Sequence, residues 1–245
     1  MANWSDPRTT AAPPTAAAGR DVTYDAGLRS HMLSVYNYMA SGVLLTGIVA
    51  YAAAMMGIPQ ALFTGGNILG YVVIFAPLIM VFFLMARVGR MSTGGMQAFF
   101  WSFATVMGLS MSVIPLVYDG GSIATAFVAT SAAFVSLSLW GYTTKKDLSG
   151  FGTFLIMGLV GLIIVSIGTM LIPGENPAIT LAINVLGVLI FAGLTAYDTQ
   201  KIKSIYFEVA GSDMLGKAAI LGALTLYLDF INMFQFLLSL IGNRD

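Results

Sequence analysis

Seven apolar stretches follow one another near residues 33–56, 69–86, 97–118, 123–142, 151–172, 178–206 and 217–241. Each approaches the ~20 apolar residues that a helix needs to cross a hydrocarbon core of about 30 Å. The breaks between them carry turn chemistry: Gly57, Ile58 and Pro59; Gly65, Gly66 and Asn67; Gly94 and Gly95; Asp119, Gly120 and Gly121; and the run Pro173, Gly174, Glu175, Asn176, Pro177. No stretch shows the period-2 alternation of a barrel strand. Backbone polar groups in lipid must be satisfied within the segment, so all seven are predicted to be helices. The fold expected is all-α: an integral membrane protein with seven transmembrane helices. No internal repeat is evident, although three helical hairpins and a last helix fit the spacing.

Composition supports that class. Of 245 residues, 58% are hydrophobic and 9% are charged, against roughly a quarter charged in an ordinary soluble domain. So few ionisable groups could not cover a water-soluble surface. Eleven basic residues balance eleven acidic ones, which leaves no net field to draw nucleic acid. There is no cysteine, which excludes disulfides and thiolate metal sites. Residues 1–30 hold Pro7, Pro13 and Pro14, an alanine-rich run and six scattered charges. That composition predicts a disordered cytoplasmic tail ahead of a membrane domain over 31–245. It lacks the basic start, apolar centre and small-residue cleavage site of a signal peptide.

Orientation follows from lysine and arginine. Arg8, Arg20 and Arg29 precede the first span, and Arg87 and Arg90 follow the second. Lys145 and Lys146 follow the fourth, and Lys201, Lys203 and Lys217 lie between the sixth and the seventh. Of the basic residues, only Arg244 falls on the other side. The positive-inside rule then places the N-terminus in the cytoplasm and the C-terminus outside. In a bacterium the membrane would be the inner one. Tyr36, Tyr118, Trp140 and Tyr142 sit near span ends and read as interfacial anchors.

Two acids break the apolar pattern: Asp198 late in the sixth span and Asp229 in the middle of the seventh. An ionisable group at the bilayer centre costs at least ~2.5–3.5 kcal/mol, so it is functional by default. Counting back from Asp198 at helical spacing meets Thr195, Phe191, Gly187, Asn184 and Thr180. Along the seventh span the count meets Ala218, Gly222, Thr225, Asp229, Asn232, Gln235 and Ser239. Each set reads as one stripe facing a bundle interior or a wet cavity. Asn184, Thr195, Thr225, Asn232 and Gln235 are the pore-lining candidates. Polar stripes also glue helices together by hydrogen bonding, which accounts for Thr, Ser and Asn but not for two acids.

Both carboxylates fall at a similar depth, measured at 1.5 Å per residue from the shared cytoplasmic end: about 18 Å for Asp229 and about 12–14 Å for Asp198. A close pair of carboxylates resists double ionisation and titrates as one unit. Such a pair is a pH sensor in principle. Once deprotonated it is also a transient site for a hard cation such as Ca²⁺, which favours oxygen ligands.

Three stretches resemble a known family. Gly141-Tyr142-Thr143-Thr144-Lys145-Lys146-Asp147-Leu148-Ser149 closes the fourth span, and Ala196-Tyr197-Asp198-Thr199-Gln200 closes the sixth. Leu226-Tyr227-Leu228-Asp229-Phe230-Ile231-Asn232 occupies the seventh. Together and in this order they resemble the Bax inhibitor family, also called the transmembrane Bax-inhibitor-motif family, in a bacterial form, over residues 25–245. The resemblance implies six helices wrapped around a central C-terminal helix. It also implies a pH-sensitive calcium leak governed by an aspartate pair, here Asp198 and Asp229. A latch arginine on the second span maps onto Arg87, with Arg90 the alternative. The link between the two aspartate helices reads as longer than in compact members. Some bacterial relatives restrain a membrane-anchored ATP-dependent protease and eukaryotic ones suppress cell death, so a membrane-embedded modulator of such a partner is the second reading.

Other classes fit less well, and neither an enzyme nor a bound cofactor is expected. An aspartyl intramembrane protease needs Gly-x-Gly-Asp, whereas Leu226, Tyr227 and Leu228 precede Asp229. A serine protease lacks a placed base, because the single histidine, His31, lies at the foot of the first span. A proton-coupled transporter would move its substrate uphill. The lipid bilayer is the one certain partner.

Overall fold

The computed structural model describes residues 14–63, 67–171 and 176–243. Among them it is all-α, with no β-strand element. The chain runs through α1 (Pro14–Met55), α2 (Ile58–Phe63), α3 (Ile68–Arg87), α4 (Thr93–Ser110), α5 (Ile114–Val117), α6 (Gly120–Thr143), α7 (Ser149–Leu171), α8 (Pro177–Val209) and α9 (Leu215–Ile241). Seven spans of 21 to 33 residues are long and apolar enough to cross a bilayer. They coincide with the seven stretches read from the pattern.

The first helix departs from expectation. Residues 14–30, expected as part of a disordered tail, are helical backbone continuous with the first span. Pro14 occupies the first turn, where its missing N–H breaks no bond, and alanine at 16–18 has the best helix propensity. Leu28, further along the same helix, is buried. The expected tail over residues 1–13 lies outside the described residues.

Two breaks have structure of their own. After Gly57, whose φ of 71° suits glycine, the short helix α2 occupies the first connection. The third span is composite: α4 is capped at Ser92, which accepts from the Gly95 N–H at 3.1 Å. It then tightens into a 3-10 turn at Met111–Val113 before α5. Pro115 explains the seam, because its ring leaves one helical hydrogen bond unmade. The expected breaks at Gly65–Gly66 and Pro173–Glu175 lie outside the described residues.

The C-terminal helix is the centre. Half of the apolar window of α9 is buried, against 33% or less in every other span. It packs against α1, α4, α6 and α8, while α3 lies against α4 and α7 against α8. Its middle is aromatic: Tyr227 is fully buried and meets Phe100 and Phe103 edge-on at 6.1 and 5.8 Å. The Tyr227 hydroxyl lies 2.6 Å from Thr46 Oγ1, which in turn reaches the Ala104 carbonyl at 2.9 Å. One hydroxyl pair thereby ties α9 to α1 and α4.

At the opposite end, Asp119 caps α6. Its carboxylate accepts from the Ser122 hydroxyl at 2.6 Å and the Ser122 N–H at 2.9 Å, and Ser122 Oγ accepts from the Asn243 N–H. These bonds, the Ser122 hydroxyl first, hold the Asp119 carboxyl below its ordinary range. A carboxyl depressed in the folded state stabilises the fold at neutral pH, and the contribution disappears as pH falls through the folded value. Asp119→Asn should keep most of the cap while removing that acid-dependent part. Thermal melts at neutral pH and below about pH 4 should therefore diverge less for the variant than for the parent.

Candidate functional site

Helices α8 and α9 form a tight hairpin. They are joined only by Ala210–Met214, with Gly211 at φ 79° closing the turn. The link is short because α8 continues to Val209, past the end expected near residue 206. Half of the connection read from the sequence, residues 207–216, is helix. Close approach is permitted by Gly222, where an added Cβ would sit 3.1 Å from Ile202, and by Gly187, which is covered by the ring of Phe236.

Within this hairpin the two acids meet. The Asp198 and Asp229 carboxyls are neighbours across the hairpin, close enough to act on each other directly. Asp229 is only 4% exposed and its Oδ2 has no hydrogen-bond partner among the described residues. Asp198 is half-buried, and the Lys201 ammonium acts on it. At 1.5 Å per residue, Asp198 lies about 17 Å from the end of α8 and Asp229 about 21 Å from the start of α9. Both are inside the bilayer-crossing length.

The three stretches that carry the family resemblance form one cluster around this pair. A Cβ on Gly141 would collide with the Ala196 carbonyl, so α6 and α8 touch backbone to backbone there. Gln200 accepts from the Leu148 N–H at 2.9 Å and donates to the Lys146 carbonyl at 2.8 Å. Lys203 donates to the Tyr142 carbonyl at 2.9 Å with its ammonium 5.0 Å from the Tyr142 ring. The basic loop after α6 is thus clamped onto the helix that carries Asp198.

The pore-lining candidates do not share one surface. Asn184 is buried and donates to Ser239 Oγ at 2.8 Å, which joins α8 to α9. Thr195, Thr225 and Asn232 bond to carbonyls one turn back on their own helices. Gln235 and Thr180 are exposed. For Gln235 the reason is arithmetic: each step of three residues falls about 60° short of a full turn, so two steps carry it about 120° around α9 from Asp229. Arg87 is exposed at the end of α3, with its guanidinium 5.7 Å from the Phe83 ring. The structure does not bring it to the acids, and Arg90 is likewise exposed.

Two features near the pair were missed. Tyr36, read as an interfacial anchor, is half-buried, and its hydroxyl lies 2.6 Å from Ser138 Oγ. Ser138 Oγ lies 2.9 Å from Thr199 Oγ1, beside Asp198 in the chain. His31, read as interfacial, is 5% exposed with its ring 5.4 Å from that of Tyr206, and neither of its nitrogens has a partner among the described residues. A hydroxyl near a span end looks alike whether it faces headgroups or a neighbouring helix, so spacing alone could not reveal either. Among the described residues no group of three or more His, Cys, Asp or Glu is placed to hold a metal ion.

Comparison with known proteins agrees with the motif cluster. The family model described as "Inhibitor of apoptosis-promoting Bax1" matches residues 28–245. A Caulobacter vibrioides protein is 46% identical over 237 residues, covering 92% of this chain and 93% of the relative. The Escherichia coli inner membrane protein YbhL is 44% identical over 222 residues, covering 89% and 94%. A Rickettsia prowazekii protein is 42% identical over 227 residues, covering 92% and 94%.

Proposed function

Because this chain belongs to the Bax inhibitor family, we propose that it is a pH-sensitive cation leak of the inner membrane, with calcium the permeant ion and Asp198 and Asp229 the gate. The observation that carries this reading is the apposition of two carboxyls in the α8–α9 hairpin, with Asp229 buried and its Oδ2 without a partner among the described residues. Two carboxyls can bond only when one holds a proton. Removing that proton sets two negative charges against each other where water cannot screen them. The hairpin must then separate, admit water or take up a cation. Two carboxylates are too few for a resident Ca²⁺ site, which takes 6–8 oxygens; they suit an ion in passage.

The orientation belongs to the same proposal. The basic loops around Lys145, Lys146 and Lys217 face the cytoplasm, and the end near Asn243 faces outside. A reporter fused to each end checks this, and a cytoplasmic C-terminus would sink it. Calcium entry into liposomes, followed across a pH series for the parent and the Asp→Asn variants, tests the gate. A membrane-anchored ATP-dependent protease that co-purifies even after loss of both aspartates would favour the modulator reading.

The latch needs motion of α3, since Arg87 lies on Phe83 rather than on the acids. If Arg87 closes the leak, Arg87→Ala should raise basal calcium flux, and Arg87→Lys should restore it only in part, because lysine lacks the planar two-point fork. Unchanged flux in both variants would leave Arg87 as an anchor for the basic side.

A further inference from the structure

Beside the acid hairpin, α1 and α6 flank α9 without closing over it. The gap is a groove of about 940 Å³ whose floor includes Phe230. It runs from Arg29 and Tyr142 at the basic end to Leu44 and Phe127 deeper in the membrane. Arg29 to Leu44 spans about 22 Å of helix at 1.5 Å per residue. That exceeds one leaflet's share of a hydrocarbon core about 30 Å thick.

The chemistry of the groove is graded along this length. Among the described residues, Arg29 is the one charged residue lining it, and it stands at the mouth. Next come the hydroxyl-bearing Tyr142, Tyr36 and Ser138; the Lys203 ammonium lies close by, over the Tyr142 ring. Beyond them the walls are largely hydrocarbon, with Val43, Leu44 and Phe127. A cationic mouth, a band of hydroxyls and an apolar shaft match, in order, an anionic headgroup, a glycerol-ester region and an acyl chain.

We propose that this groove is a binding site for an anionic phospholipid of the leaflet on the basic side. The headgroup sits at Arg29, and an acyl chain lies between α1 and α6 against Phe230.

The test uses the full-length protein purified in a mild detergent, titrated with phosphatidylglycerol or with zwitterionic phosphatidylcholine, and read by native mass spectrometry. Phosphatidylglycerol should be retained preferentially. Arg29→Gln should reduce that preference about fivefold, the worth of one basic residue at an anionic lipid surface. Ala40→Trp, which projects an indole from α1 into the shaft, should reduce retention of both lipids. Should that variant misfold, phosphatidylglycerol bearing a diazirine on its acyl chain gives a second readout on the parent. Photo-adducts should concentrate on α1 and α6 between Tyr36 and Phe134. Equal retention of the two lipids, wild-type retention by both variants, or adducts spread over the exposed faces of α3 and α7 would overturn the site. So would a dimer in which a second copy shields these residues from the probe.

Discussion

Calcium entry into liposomes carrying the Asp198→Asn, Asp229→Asn double variant is expected to be the same at every pH between about 6 and 8, where a paired carboxyl can act. Asparagine keeps the shape of aspartate and can still bond across the hairpin, so α8 and α9 should pack as before. Under the proposed gating, what disappears is the shared proton and the repulsion that follows its loss. Each single variant removes one titrating group and leaves the other without its carboxyl partner, so a weakened pH response is expected from both. The double variant is the decisive case. If it still answers to pH like the parent, the sensor lies elsewhere. His31, buried against Tyr206 with both nitrogens unpartnered, is then the residue to change. A melting curve close to the parent's should accompany the flat profile, which separates loss of gating from loss of fold.

Gly141→Val should be among the most damaging substitutions outside the acid pair. A Cβ at this position would lie against the carbonyl, carbon and Cα of Ala196, all of them backbone. No side chain can swing aside, so α6 and α8 must separate. Separation breaks the Ser138–Thr199 bond one turn away and the Lys203 bond to the Tyr142 carbonyl. Overpacking alone costs about 1–3 kcal/mol, and the lost hydrogen bonds add about 1 kcal/mol each. Most of the purified protein should then aggregate at temperatures the parent survives. Gly161→Ala is the control: it sits within α7 with nothing inside 4 Å of an added Cβ. Alanine there should be neutral or slightly stabilising, because it restricts the unfolded chain. Equal melting for Gly141→Val and the parent would show that the α6–α8 contact is looser than described.

Much of this architecture is legible without coordinates, because membranes impose few solutions. Hydrophobic length gives the seven spans, and the charge alternation of the loops pairs their ends. Asp198 and Asp229 stand out because no other charged residue lies so deep in its apolar stretch. What stays hidden is what depends on rotation and partner. Gln235 looks equivalent to Asn232 when counted in threes, yet it has drifted to an exposed face. Arg87 has a plausible role by resemblance, but its position depends on where α3 rests against α4. Tyr36 and His31 lie where interfacial residues belong; only the approach of α6 and α8 turns them inward. Gly141 sits inside a recognisable motif, although its reason, a backbone contact with Ala196, is invisible until the two helices are side by side.

The five-residue link between α8 and α9 bears on how this protein enters its membrane. Helices joined so closely leave the translocation machinery almost together, and α8 cannot settle far from α9 while the chain is still being made. Asp198 and Asp229 therefore need not cross into lipid as two separate anions, each at a cost of ~2.5–3.5 kcal/mol at the centre. Zipped as a hairpin, they enter side by side, where one carboxyl can keep its proton and its neighbour can accept it. The α8–α9 hairpin is in this sense a unit of biogenesis. Lengthening the link with flexible residues would expose α8 to lipid alone, and the yield of inserted protein would report the difference.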